Sequence, residues 1–277
     1  MTSLPLRTLS QSSLQDYADC PRRFQLRYLE QLQYPAVESE PALENEKHQQ
    51  EGETFHRLVQ QHLIGIPAEQ VGRLATSDNL ARWWGNYLQA DLPLNGYTTY
   101  PEVTLSAPLG GFRLVAKYDL VAVQAGQALI YDWKTYRKRP KNEWLAPRWQ
   151  TRVYRALLGV AGSHFNGGQP FAPEQISMTY WFAEFPSEPA ILPYNAGQFQ
   201  RDWDALLKLA EEIAATDSFP LTEERRRCGY CPYRGYCDRG VRAGDAGDAE
   251  AEMEAEELFD VNFEQSARLP FKDVKHP

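Results

Sequence analysis

"YDLVAVQAGQALIYDWK", residues 118–134, reads as two apolar strands around a turn at Ala125-Gly126, with an acid near each outer end and a lysine two residues beyond the second acid. If the hairpin is centred on that turn, Gln124 opposes Gln127, and counting outward brings Asp119 opposite Asp132. Cross-strand Cβ atoms lie about 5 Å apart. At an effective dielectric near 20, two carboxylates that close repel by roughly 3 kcal/mol. Such a pair is a poor structural choice unless a cation lies between, and the strand period of two puts Lys134 on the Asp132 face. A hard divalent ion of the Mg²⁺ or Mn²⁺ type suits this donor set. Such an ion lowers the pKa of bound water and neutralises phosphate charge, with Lys134 positioning the water or stabilising developing charge. A surface hairpin with stray acids and a salt-bridged lysine is the competing reading.

Around this hairpin the chain alternates helical and extended patterns. "SQSSLQDYADCPRRFQLRYLEQL" carries apolar residues every three or four positions, offers N-caps at Ser10 to Ser13, and is interrupted by Pro21. Helices are expected at "EGETFHRLVQQHLIG", around Trp83, from about Glu143 through "EWLAPRWQTRVYRALLGVAG", and near Ala196 to Ala215. Strands are expected at "YPEVTLSAP", "GFRLVAKYDLVAV", "QALIYDWKT" and "QISMTYWFAEF". The layout predicts an α/β fold with one small central mixed sheet flanked by helices.

With 277 residues and 43% hydrophobic content, the chain can bury a substantial core. It shows neither a secretory h-region nor an apolar run of about eighteen residues, so a cytoplasmic protein with no membrane partner is expected. The net charge of -8 is uneven. From Gly244 onward ten acids face Arg268, Lys272 and Lys275, so the acidity sits mostly in a tail, 241–277, expected to be flexible and either solubilising or partner-binding. Between Lys134 and Arg155 the balance reverses, with eight basic residues against Glu143 alone. That run is either a solvated face or a phosphate-binding patch, and Trp133, Tyr136, Trp144 and Trp149 within it could stack bases.

Asp119 together with Asp132-Trp133-Lys134 resembles the PD-(D/E)xK nuclease superfamily, in particular its RecB-like exonuclease branch. "GETFH" is similar to that branch's G-x-x-x-H motif, which implies a metal-ligand role for His56. Glu102 is similar to an acidic position that assists the metal site. "QTRVY" matches the Q-x-x-x-Y element, and Gln150 and Tyr154, as i and i+4 neighbours, could project together toward a DNA backbone. Tyr118 stands where the family name has proline, and Asp132 where glutamate is frequent. The resemblance implies catalytic roles for Asp119, Asp132, Lys134, Glu102, Gln150 and Tyr154, and metal ligation by His56, Asp119 and Asp132.

The chain has four cysteines, Cys20 and a C-x2-C-x5-C group of Cys228, Cys231 and Cys237. In an intracellular chain they favour a metal site over disulfides, and spacing alone fits zinc or a [4Fe-4S] cluster equally. A lone N-terminal cysteine with this C-terminal group, flanking a RecB-like core, resembles the iron-sulfur nucleases, among them AddB-type subunits and CRISPR-associated adaptation nucleases. The resemblance implies a [4Fe-4S] cluster that staples Cys20 to 228–237 within a nuclease domain of residues 1–240, its charge offset by Arg225 to Arg227 and Arg234. It also implies a DNA exonuclease acting on single strands or ends, in repair, recombination or CRISPR adaptation, with an integrase complex or a helicase as partner. No G-x-x-x-x-G-K-[ST] loop is present, so any motor of that kind is a separate protein. The alternative is a non-catalytic iron-sulfur module that binds nucleic acid.

Overall fold

The computed structural model describes residues 8–32, 42–229 and 231–240. The acidic segment from Gly244 onward therefore lies outside the described residues. Six strands form one mixed sheet: β1 (Thr8–Leu9), β2 (Thr98–Leu109), β3 (Phe112–Gln124), β4 (Gln127–Lys134), β5 (Ile176–Phe182) and β6 (Phe185–Pro193). Strands β2, β3 and β4 are antiparallel neighbours, β4 and β5 are parallel, and β5 and β6 form a hairpin. Two of these strands escape the sequence patterns. β1 is too short to show a period, and β6, "FPSEPAILP", carries three prolines, which suits the sheet-edge position it occupies.

The helices are α1 (Gln11–Asp19), α2 (Pro21–Phe24), α3 (Ala42–Leu63), α4 (Ala68–Gly72), α5 (Asp78–Gln89), α6 (Asn142–Leu145), α7 (Trp149–Ala161), α8 (Ala196–Ala215) and α9 (Arg225–Cys228). Ser10 caps α1 through a reciprocal pair with Ser13, and the chain breaks at Cys20 before Pro21 opens α2 and a π-helical turn, Gln25–Leu29. The single helix expected from about Glu143 is divided around Pro147 into α6 and α7: Ala146 is still helical, Pro147 brings no N–H to continue the ladder, and Arg148 turns extended at ψ 146° before α7 begins.

The sheet separates two apolar layers. On one face Val121, Ile130, Met178 and Tyr180 meet Leu14 of α1, Val153 and Leu157 of α7, and Leu206 of α8. On the other, Leu120, Tyr131, Trp133 and Trp181 meet Phe55, Leu58 and Val59 of α3 and Trp83 and Tyr87 of α5. Along β4, Ala128 and Ile130 point to the α7 side, so Asp132 and Lys134 follow them there, while Tyr131 and Trp133 face α3 and α5.

In β3 this alternation slips. Ala116 and Tyr118 face the α7 layer, Leu120 faces the α3 layer, and Val121 and Val123 face the α7 layer again. The β2–β3 ladder pairs Val103 with Tyr118 and Pro101 with Leu120 but skips the step between, where Glu102 faces Asp119. Glu102 sits there at φ 55°, a left-handed conformation that costs a non-glycine residue about 1–2 kcal/mol. Irregular strands of this kind re-aim side chains at a sheet margin.

Candidate active site

The hairpin register follows the count made from the sequence: Gln124 pairs with Gln127, Val121 with Ile130 and Leu120 with Tyr131. One step further, at Asp119 and Asp132, the ladder gives way. Asp119 Oδ2 accepts the Trp133 backbone N–H at 2.8 Å, so the carboxylate replaces a strand partner. Its other oxygen lies 3.2 Å from His56 Nδ1. His56 arrives from α3 on the opposite face of the sheet, and Asp119 reaches it because it sits at the slip in alternation.

The G-x-x-x-H spacing has a packing reason. Gly52 lies one helical turn before His56, and a Cβ on it would stand 2.9 Å from Thr135 Oγ1, just past the end of β4. His48, another turn earlier, places Nε2 2.9 Å from the Thr135 carbonyl oxygen. Glycine therefore lets α3 approach the tip of β4 closely enough for His56 to meet Asp119.

His56, Glu102 and Asp119 each offer a ligand atom within 4.8 Å of the other two. Asp132 is not among these three. It lies on the α7 side, where Lys134 Nζ stands 2.8 Å from Oδ2 and the Gln150 amide donates to Oδ1 at 2.8 Å. The resemblance implies metal ligation by His56, Asp119 and Asp132 with Glu102 assisting; in the structure Glu102 lies in the tight trio and Asp132 outside it. Asp132 still acts on the group electrostatically. Burial alone would strip the His56 proton, but Asp119 first and Asp132 second hold it on, pushing the imidazole up to about 9. Asp119 moves the other way. Its burial disfavours charge, yet His56, the Trp133 N–H and Lys134 together hold its carboxyl below the usual value.

Lys134 is nearly enclosed, with 5% of its side chain exposed, and its ammonium lies 5.6 Å from the Tyr180 ring centre and 5.8 Å from that of Tyr136. Tyr180 is the β5 partner of Asp132 in register. The Gln150–Tyr154 pair shares one helical face as expected, Gln150 half-buried and Tyr154 buried. Tyr154 is 3% exposed and donates to the Lys117 carbonyl at 2.7 Å, while Gln150 braces Asp132 and accepts from Tyr180 at 3.4 Å. Gln150, half-buried, thus braces Asp132, and buried Tyr154 fixes the Lys117 backbone.

The basic run resolves into several environments. Lys134 and Arg155 are buried, the latter against Asp202 at 3.3 Å, whereas Arg137, Lys138 and Lys141 are exposed. Trp133 and Tyr136 are buried and offer no face to a base. Trp144, 37% exposed beside Lys141, and half-buried Trp149 beside Arg152 are the two that remain accessible.

Cys20, Cys228, Cys231 and Cys237 line a single small pocket, together with Arg23, Arg234 and Arg239. Arg234 was expected there. Arg23 and Arg239 were not: Arg23 is remote from the C-x2-C-x5-C group in sequence, whereas Arg239 follows Cys237 by only two residues and could have been read. Arg23 is buried against Asp16 at 2.8 Å and Asp19 at 3.2 Å, and Arg227 also reaches Asp19 at 3.1 Å. Burial pushes the Cys231 thiol up to about 11, with Arg23 opposing the shift. Nothing in the sequence besides the cysteines had suggested a tie between the two ends of the domain. The structure adds several: Arg22 N–H to the Pro220 carbonyl at 3.1 Å, Tyr233 hydroxyl to the Leu32 carbonyl at 3.0 Å, and Tyr17 with Thr216 at 2.8 Å.

Among the described residues no helix is long and apolar enough to cross a membrane. Comparison with solved structures finds SSO0001 at 13% identity and a TM-score of 0.43, covering 87% of this chain and 90% of that one. It also finds a protein from Eubacterium rectale named "Putative exonuclease" at 10% identity and a TM-score of 0.47, covering 75% and 80% respectively. No curated protein matches the sequence. The profile of the PD-(D/E)XK nuclease superfamily matches residues 8–238, a span that contains every element of the sheet and both clusters described above, and the chain belongs to that superfamily.

Proposed function

We propose that this chain is a metal-dependent deoxyribonuclease of the RecB-like branch, an exonuclease that hydrolyses phosphodiester bonds in single strands or at strand ends. The observation that carries the reading is the convergence of His56, Glu102 and Asp119 within 4.8 Å, beside Asp132 and a buried Lys134. Two carboxylates supply the hard oxygen donors that Mg²⁺ or Mn²⁺ takes, and the added imidazole, a borderline donor, favours Mn²⁺ of the two. When bound, such an ion supplies charge neutralisation at the phosphate and a water of lowered pKa. His56, Glu102 and Asp119 would hold it, with Asp132 as a further oxygen donor alongside. Lys134, fixed by Asp132 and two tyrosine rings, is preorganised to orient the attacking water or to meet charge developing on the phosphate. Gln150 and Tyr154 keep Asp132 and the Lys117 backbone in place. Trp144 and Trp149, each beside a cation, are suited to stack the bases of a single strand leading to the acids.

The thiol cavity supports an iron-sulfur cluster held by Cys20, Cys228, Cys231 and Cys237. Four thiolates are equally a donor set for tetrahedral zinc, and metal analysis of the anaerobically purified protein separates the two. Three neighbouring arginines would balance its anionic thiolates. Its role is structural, closing residues 1–240 into one nuclease domain and leaving 241–277 as an acidic tail. Repair, recombination or CRISPR adaptation provides the setting, with a helicase or an integrase complex as partner.

The test is cleavage of single-stranded and duplex DNA, and of RNA, with Mg²⁺ or Mn²⁺ after anaerobic purification, set beside Asp119→Ala. Cleavage by the parent protein alone is expected. Tight binding without turnover in either metal would instead favour the non-catalytic iron-sulfur module.

A further inference from the structure

Each acid of the site meets a cation from the chain itself. Asp119 has His56 at 3.2 Å, Asp132 has Lys134 at 2.8 Å, and Glu102 has Lys117 in direct contact. His56 and Lys134 already have parts in the proposed reaction, but Lys117 has none. It lies on β3 two residues before Asp119, with its backbone fixed by the Tyr154 hydroxyl. Its side chain is 37% exposed, against 15% for Glu102 and 5% for Lys134, so it is the site lysine most open to solvent.

Glu102 is the point of conflict. Its left-handed backbone at the skipped ladder step turns the carboxylate into the trio with His56 and Asp119, and the same carboxylate is the partner of Lys117. A divalent ion in the trio and the Lys117 ammonium therefore compete for one group. Lysine suits such an exchange, since its charge sits at the end of a flexible stem and binds phosphate as a point charge.

We propose that Lys117 stands in for the divalent ion at Glu102 while the site is metal-free, and transfers to a backbone phosphate of the bound polynucleotide once the ion is seated. The inference rests on the metal site proposed above. It gives the strained Glu102 a reason to be tolerated without metal, and it supplies a cation for the added phosphate charge when substrate arrives.

The experiment is a Mn²⁺ titration of the full chain, followed by electron paramagnetic resonance. It compares the parent protein, Lys117→Met, Lys117→Arg, Glu102→Gln, the Lys117→Met/Glu102→Gln pair and Asp119→Ala, with the unfolding midpoint recorded for each. Removing the competing ion pair should tighten Mn²⁺ about fivefold in Lys117→Met. Lys117→Arg should stay near the parent value, and the gain should vanish in the Glu102→Gln background. KM for a single-stranded oligonucleotide should rise in Lys117→Met and recover in Lys117→Arg. Unchanged or weaker Mn²⁺ binding in Lys117→Met overturns the exchange, as does an equal gain in the Glu102→Gln background, which would mark a general charge effect. An unchanged KM overturns the phosphate transfer. Parent protein that shows no Asp119-dependent Mn²⁺ binding overturns the underlying metal site as well. Should Lys117→Met fail to fold, Lys117→Gln carries the same comparison.

Discussion

The acidic site and the thiol pocket treat charge in opposite ways. At the acidic site the chain supplies its own cations, with His56, Lys117 and Lys134 each set against one of the carboxylates Asp119, Glu102 and Asp132, and the Asp119 carboxyl is held below its usual value. At the cavity, burial pushes Cys231 up to about 11 and raises Cys237 as well, so these thiols keep their protons until a metal centre withdraws them. The lesson is that losing metal should empty the first site without unfolding it. At the second it should withdraw a structural staple.

The sharpest way to break this contrast is to cut each site once. Asp119→Ala or Lys134→Ala should lower cleavage by about a thousandfold, as expected for loss of a central electrostatic group. Iron content should stay unchanged, as seen by assay and absorbance. Next in size, Cys20→Ala should remove iron and lower the unfolding midpoint by on the order of 10 °C, measured anaerobically by calorimetry. A Cys20→Ala protein that keeps its midpoint without iron would erase the difference between the two sites. Smaller still, Gly52→Ala should lower kcat about tenfold by pushing α3 away from Thr135. Stability should fall by only about 1 kcal/mol, read from denaturant unfolding.

The smallest effect sharpens the comparison through pH. His56 is raised to about 9, so its pairing stabilises the metal-free protein fully below the unfolded value of about 6.5 and is lost as pH rises through about 9. Asp119 is depressed, so its contribution holds above the unfolded value of about 3.9 and is lost as pH falls through the folded one. Because an ion must displace the His56 proton, Mn²⁺ binding at pH 8 should release about one proton, and calorimetry in buffers of different ionisation enthalpy reads that number directly. His56→Ala should abolish the release.

Much of this was legible in the sequence, and the failures have physical causes. The period of two and the Ala125-Gly126 turn fix the hairpin register, which is why Asp132 and Lys134 could be placed on one face from counting alone. The skipped step at Glu102 was not legible, because a left-handed glutamate carries no local signal, and it decides that Glu102 joins His56 and Asp119. Lys117 could have been found, since it sits two residues before Asp119 as Lys134 sits two after Asp132. Gln150 and Tyr154 show the limit of helical spacing, which puts two side chains on one face without saying whether that face packs inward. β6 carries no clear strand signal because three prolines interrupt it, and only its place at the sheet edge makes them tolerable.

A crystal soaked in Mn²⁺ and measured at the manganese absorption edge tests the central claim most directly. The account predicts an anomalous peak within coordination distance of His56, Glu102 and Asp119, lost in Asp119→Ala. A manganese peak elsewhere, with none between these three side chains, would contradict it.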